Sequence, residues 1–329
     1  MQEIYLRNHN EKLSMNNGKI IQSCGGDILA SYPICAIDAI QIYSNAQLTT
    51  QVIKECLKEG VTINYFNSYG KHLGKIESEY PKNTMRRLQQ YKLYWDSNLR
   101  LAWAKQLIKA KIQGEIIELR RLTECETKFP HKAIRKELKK YLSCVDNVKD
   151  IQHLLGIEGM CSRKYYEIFQ YVLPIGIKWN NRKYHPAPDG INALLSFVYA
   201  ITANIIREKI QVALLDPHCS FLHEPGYNKG GLSYDILEIF RAIYCDNFVF
   251  KTLRKRKDIV EEILNLDTGY LSASTSNFIA NEVRNSVNKR YYRQKYSIEE
   301  QIKEAVTNIV SALNNPAETP CFSNLLPER

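Results

Sequence analysis

From Asn83 onward the apolar residues of this 329-residue chain change rhythm. Leu88, Tyr91, Trp95, Leu99 and Ala102 recur at spacings of three and four, with Arg and Lys between them. That spacing makes a continuous apolar face on a helix and on nothing else. The pattern predicts one long helix running through Ile108, Ile112 and Ile116 towards Leu122, with Gly114 as its weak point. Helices joined by loops then continue to Asn314, the longest loops being Gly176 to Gly190 and Asp216 to Gly231, and the tail after Pro316 reads as frayed.

The first eighty residues read differently. Short apolar or alternating runs, such as Ile4-Tyr5-Leu6, Lys19-Ile20-Ile21 and Ile37 to Tyr43, are separated by Asn, Gly and Pro. Asn16-Asn17-Gly18 marks a hairpin, because Asn and Gly tolerate positive φ. A helix is expected from Thr49 to Lys58, stopped by Gly60, with extended chain from Val61 to Phe66. Asn67-Ser68-Tyr69-Gly70 is a second turn, and Tyr80-Pro81 closes the region. The expectation is an α+β chain: a β-rich, β-sandwich-like domain over 1–80, followed by a larger all-α domain over 81–329.

Charge follows the same division. The formal net charge is +10. Residues 1–80 hold 7 Lys/Arg and 8 Asp/Glu, residues 81–140 hold 16 and 6, and residues 141–329 hold 22 and 21. The excess therefore lies in one basic stretch, which suits a polyphosphate partner or, more blandly, a solvated helix face. No apolar run reaches the roughly 18–20 residues of a membrane span, and Met1-Gln2-Glu3-Ile4-Tyr5 has neither the basic start nor the apolar stretch of a signal peptide, so a cytosolic address is expected. Nine cysteines from Cys24 to Cys321 include no CxxC pair, which argues against structural zinc and for buried or incidental thiols in a reducing compartment.

Three segments carry candidate chemistry. Glu158, set between Gly156 and Gly159, has open space for an ion or phosphate, or is an acidic first-turn residue facing a helix dipole. His223 follows Phe221-Leu222 and is either a metal ligand or a satisfied loop histidine, with His218 its competitor. Ser233 reads as the N-cap of a helix that carries Asp235 in its first turn and Glu238 at i+3 on the same side, two hard oxygen donors suited to Mg²⁺ or Mn²⁺. Spacing alone does not bring Glu158, His223 and Glu238 together.

In series, these segments resemble the CRISPR-associated adaptation nuclease, the integrase subunit of prokaryotic spacer acquisition. Leu155-Gly156-Ile157-Glu158-Gly159 with Tyr165-Tyr166 is similar to that family's glutamate motif. His185-Pro186-Ala187-Pro188-Asp189 with Asn192-Ala193-Leu194-Leu195-Ser196-Phe197 and Tyr199 resembles its proline block. Leu215-Asp216-Pro217 with Phe221-Leu222-His223, and Leu232 to Arg241, resemble its histidine and final acidic motifs. Ser220, Leu214 and Ala242 depart from the pattern without touching a ligand position.

The resemblance implies a metal-dependent DNA endonuclease and integrase that inserts short DNA into a CRISPR repeat by 3′-hydroxyl transesterification. It implies that Glu158, His223 and Glu238 hold Mg²⁺ or Mn²⁺, that Asp235 supports them, and that the β-rich domain mediates a homodimer. A small ferredoxin-like partner subunit and a prokaryotic cytoplasm are implied too. Arg86, Arg87, Arg120, Arg121, Arg163, Lys164, Arg254, Lys255, Arg256 and Lys257 are the candidate contacts to double-stranded DNA, holding phosphates without reading sequence. The alternatives are a non-catalytic DNA-binding scaffold with the same basic stretch and a helical RNA-binding protein. The latter would want stacking aromatics on a basic sheet.

Overall fold

The computed structural model describes residues 2–67, 72–79, 84–123, 131–183, 187–224, 226, 231–266, 269–290, 296–315 and 318–326. The turn expected at Ser68 to Gly70, the Tyr80-Pro81 boundary and the His185-Pro186 pair lie outside the described residues. The chain divides into two compact units, Met1–Arg87 and Leu88–Arg329.

In the first unit, β1 (Gln2–Leu6), β2 (Glu11–Asn16), β3 (Lys19–Cys24), β4 (Asp27–Pro33), β5 (Ile37–Ile42), β6 (Gln47–Leu48), α1 (Thr50–Glu59), β7 (Thr62–Phe66) and β8 (His72–Ile76) follow in order. They form two four-stranded sheets, ordered β1-β5-β7-β8 and β4-β3-β2-β6. Asn17 and Gly18, at φ 47° and 72°, turn β2 back into β3. Thr49 accepts the Val52 N–H to start α1, and Gly60, at φ 65°, ends it. Strands β5 and β7 pair in parallel, so the chain needs a crossover between them, and α1 lies in it. Ile4, Leu6, Leu13, Ile20, Ile40 and Ile63 close one core with Val52 and Cys56 of α1.

The second unit is helical: α2 (Thr84–Trp95, which begins in the first unit), α3 (Ser97–Thr123), α4 (His131–Cys144), α5 (Ile151–Tyr166), α6 (Phe169–Val172), α7 (Gly190–Val212), α8 (Gly231–Phe240), α9 (Asn247–Lys255), α10 (Lys257–Leu264), α11 (Ala273–Val287) and α12 (Ile298–Asn314). A π-helical turn, Arg241–Asp246, joins α8 to α9. The single long helix expected from Leu88 to Leu122 is two helices. Asp96 interrupts it, because its carboxylate accepts the N–H groups of Asn98 and Leu99, both at 3.0 Å, and starts α3 afresh. Gly114, expected as a weak point, instead sits in unbroken helix. A Cβ there would lie 3.3 Å from Ile243 Cγ2, so the missing side chain lets α3 approach the π-turn.

Two other expectations are corrected. Helix α7 is long and apolar enough to span a membrane, with mean hydropathy 1.3, yet 67% of that window is buried within the unit, where α7 serves as a core helix. The tail does not fray throughout: Phe322 and Leu325 are buried, and Asn308 Nδ2 donates to the Cys321 carbonyl at 2.7 Å. The cysteines are mixed: among the described residues Cys56, Cys161 and Cys245 are buried thiols, whereas Cys35, Cys144 and Cys321 are exposed.

Replacing Gly114 by Leu should cost about 1–3 kcal/mol, through overpacking of α3 against Ile243 and the Ile239 carbonyl. Urea unfolding measures it, and an unchanged midpoint would refute the close approach.

Candidate active site

Helix α5 is capped by Asp150, whose carboxylate accepts the His153 N–H at 2.9 Å, and packs Leu154, Ile157, Cys161 and Tyr165 inward. Glu158 therefore sits in the body of the helix, not in its first turn, with its side chain 23% exposed. A Cβ added at Gly156 or Gly159 would meet nothing within 4 Å, but at i−2 and i+1 on the helix these positions face away from Glu158, whose carboxylate meets Lys111 and Ser162 instead.

Helix α8 starts at Gly231, and Ser233 is buried inside it instead of capping it. The Leu232 N–H donates to the Pro217 carbonyl at 3.0 Å, and that contact carries the helix back beyond Ser233. Asp235 is consequently not a first-turn acid. It is wholly buried and gathers the preceding loop onto itself, accepting the backbone N–H groups of Phe221 (2.9 Å), Leu222 (3.0 Å) and His223 (3.3 Å). The same carboxylate lies 2.7 Å from His223 Nδ1. Burial lowers the imidazole pKa, but the hydrogen bond to Asp235 and the charges of Asp235 and Glu238 together overcome it and leave the value raised. His218, the competitor, faces elsewhere, with Nε2 2.9 Å from an Arg207 nitrogen.

Glu238 is buried between two cations. Its Oε1 is 2.8 Å from Arg241 and its Oε2 is 2.7 Å from Lys111 Nζ. Burial would raise the carboxyl pKa, but Arg241 and Lys111 hold it down at about 2. Lys111 Nζ also touches Glu158 Oε1, so one ammonium joins α3, α5 and α8. Although burial works against its charge, Glu158, Glu238 and Glu115 hold the Lys111 pKa well above the ordinary value. One turn along α3, Glu115 is buried too. Burial lifts its pKa to about 8, and its Oε2 has no hydrogen-bond partner. Ser162 Oγ lies 2.9 Å from Glu158 and 3.4 Å from Glu115.

The structure thus brings Glu158 and Glu238 onto one cation and places His223 within electrostatic reach of Glu238. Asp235 stands behind the histidine. Among the described residues, no three His, Cys, Asp or Glu side chains are grouped as a metal would need. Sequence reasoning missed Lys111, Glu115 and Arg241. The available signal was charge at i, i+4 and i+7 (Lys111, Glu115, Glu118) within an apolar stretch of α3, since that spacing puts all three on one face.

The basic candidates separate by environment. Arg87 pairs with Glu77 at 2.8 Å, Arg121 with Glu118 at 3.1 Å, Lys164 with Glu137 and Glu167, and Arg256 with Asp258 at 2.5 Å. Arg120, Arg163, Arg254, Lys255 and Lys257 are exposed, and Arg86 is half-buried.

A family model described as CRISPR associated protein Cas1 matches residues 4–262. The chain belongs to the Cas1 family. Among its relatives is a CRISPR-associated endonuclease Cas1 of Thermus thermophilus, 30% identical over 261 residues that cover 79% of this chain and 76% of that protein. The fold is also that of a casposase bound to its integration product (TM-score 0.81, 24% identity, all of both chains). It matches a chain of a partial Cas6-RT-Cas1–Cas2 complex as well (TM-score 0.75, 18% identity, 100% of this chain and 98% of that one). The Cas1 match covers every residue of the acidic centre.

Asp235→Ala should lower stability by about 3 kcal/mol or more, because it strands the buried N–H groups of Phe221 and Leu222 together. Thermal unfolding reads this directly. A melting temperature equal to that of the parent would contradict the role of Asp235 as the residue on which the loop folds.

Proposed function

We propose that the chain is a DNA nuclease and integrase of CRISPR adaptation, with its chemistry at Glu158, His223 and Glu238. One observation carries the reading: acidic side chains from two helices distant in sequence converge on a single buried cation beside a histidine that a third acid orients. The donor set has the chemistry of a hard divalent ion's ligands, since it offers carboxylate oxygens that already attract one cation and one imidazole. Bound there, Mg²⁺ or Mn²⁺ would neutralise charge on the scissile phosphate and activate the attacking oxygen.

The chain's own residues do the rest. Asp235 holds Nδ1 of His223, which would leave the other ring nitrogen for an ion. Arg241 keeps Glu238 ionised. In the transfer step the 3′-hydroxyl oxygen of a short DNA bonds to a phosphorus of the repeat. The bond from that phosphorus to the repeat's own 3′-oxygen breaks, and the leaving oxygen departs as a hydroxyl. The N-terminal unit is the proposed homodimer contact. A Cas2-type subunit, of the kind named in the similar complex, is the proposed partner in a prokaryotic cytoplasm. A DNA-binding scaffold with a charge-compensated, metal-free centre is the second reading, favoured by the ion pairs of Lys111 with both carboxylates.

Strand transfer of a short 3′-hydroxyl DNA into a repeat-bearing plasmid decides between them. Joining is expected with Mg²⁺ or Mn²⁺, none with chelator, and none in Glu238→Ala. If the wild type binds DNA but joins nothing with either metal, even with its partner subunit, the scaffold reading stands instead. Neutralising Arg120, Arg163, Arg254 and Lys255 to Gln should weaken DNA binding and flatten its salt dependence by up to roughly 0.9 in log–log slope per lost phosphate contact. Metal binding should be untouched, and an unchanged slope would remove these residues from the DNA track.

A further inference from the structure

The acidic centre contains a cation of its own, and the ion proposed above has to displace it. Lys111 Nζ contacts the two carboxylates assigned to the metal, Glu158 and Glu238. An ammonium held against one oxygen of each carboxylate opposes a divalent ion at the same place, because the two cations repel and draw on the same donors. The lysine cannot simply withdraw into the protein either: its side chain is 3% exposed, and a buried ammonium without a counter-charge is strongly destabilising.

Glu115 offers it an alternative. It lies one helical turn along α3, on the same face as Lys111, and is 2% exposed. Its Oε2 is buried without a hydrogen-bond partner, and after Glu158 and Glu238 it is the carboxylate acting most strongly on the lysine. A lysine stem has four methylene groups and a compact, rotatable head, so it can change carboxylates while the helix stays fixed.

We propose that Lys111 is an internal placeholder that occupies the divalent-ion position between Glu158 and Glu238 in the resting site and moves onto Glu115 when the ion binds. This rests on the metal reading of Glu158, His223 and Glu238, and it assigns Lys111 and Glu115 a role that neither ligand chemistry nor simple core packing requires. The ammonium stays protonated throughout, and Glu115, held above the ordinary carboxyl range by burial, gives up its proton to solvent as the ammonium arrives. Apparent ion affinity is then reduced by the fraction of molecules in which the lysine holds the position.

The two residues should therefore act in opposite directions. Calorimetric titration of the full-length chain with Mn²⁺ alone, without DNA, would compare wild type, Lys111→Met, Glu115→Gln, the double variant and Glu238→Ala, with folding checked by circular dichroism. Lys111→Met should bind Mn²⁺ about tenfold more tightly, because the competitor is gone. Glu115→Gln should bind about tenfold more weakly, because the displaced ammonium has lost its counter-charge. In the Lys111→Met background, Glu115→Gln should change little, since no ammonium needs housing.

Weaker binding in Lys111→Met would overturn the proposal, as would an equal effect of Glu115→Gln in both backgrounds. Should Lys111→Met fail to fold, Glu115→Gln alone decides, and unchanged affinity rejects the exchange. A wild type whose titration matches that of Glu238→Ala would remove the metal site itself and the proposal with it. That result is distinct from one in which the wild type binds and only the signs are wrong.

Discussion

The buried ammonium of Lys111 is what allows the centre of the helical unit to exist as it stands. Glu158 and Glu238 arrive from helices far apart in sequence and place their carboxylates on the same side of α3. Two like charges about 4 Å apart repel by roughly 4 kcal/mol at an effective dielectric of 20, and burial adds a desolvation cost to each. A cation between them reverses the sign of that interaction. Because Lys111 projects from a helix that runs through the core, the position of the cation is set by packing, with Trp103, Leu107, Ile108 and Ile112 buried around it on α3. The carboxylates are held by a rigid element and not by a loop.

A second dependence runs through Asp235. Its carboxylate replaces the hydrogen bonds that the chain from Phe221 to His223 would otherwise make with water, so the loop has no independent shape. The direction of the His223 ring follows from the position of α8, and α8 in turn approaches the loop only because residue 231 is glycine. A Cβ there would lie 2.7 Å from Ser220 Oγ. Arg241, the first residue of the π-turn, returns to Glu238 from three positions on and also lies over the Tyr199 ring at 4.9 Å. Irregular helix of this kind interrupts the i to i+4 ladder, and here it stands directly beside the acidic centre.

These dependences explain what was legible in the sequence. The β2–β3 hairpin and α1 could be read because Asn17, Gly18, Thr49 and Gly60 act on their immediate neighbours. The start of α8 could not, since the choice of Gly231 over Ser233 rests on the Pro217 carbonyl, a contact across a loop. Asp96 was hidden in a similar way: the apolar period continues across it, whereas its carboxylate restarts the helix. Glu158, His223, Asp235 and Glu238 were named from motifs, and motifs carry no information about what else stands among them. Lys111 sits in a run with Lys105 and Lys109, and by composition all three read as a solvated basic face. Only the arrival of two acids from elsewhere makes one of them internal.

That distinction changes how the basic stretch should be understood. Sixteen Lys and Arg within 81–140 suggest a uniform track for phosphates, yet the charges differ in kind. Lys111 is neutralised from within by carboxylates, Arg87 and Arg121 are held by Glu77 and Glu118, and Lys109 pairs with Asp146 at 2.5 Å. A phosphate competing for Arg121 must displace Glu118, which is fully buried and also accepts a hydrogen bond from Asn247 at 2.6 Å, whereas one meeting Arg120 finds an exposed side chain. Because exposed charges separated by more than a Debye length, roughly 8 Å at physiological salt, are largely screened, a polyanion senses the local arrangement and not the formal total. What a polyanion would meet is therefore set by how each cation is engaged and exposed, and not by the number of cations in the stretch. Lys111, buried and shared by two carboxylates, is not part of that surface.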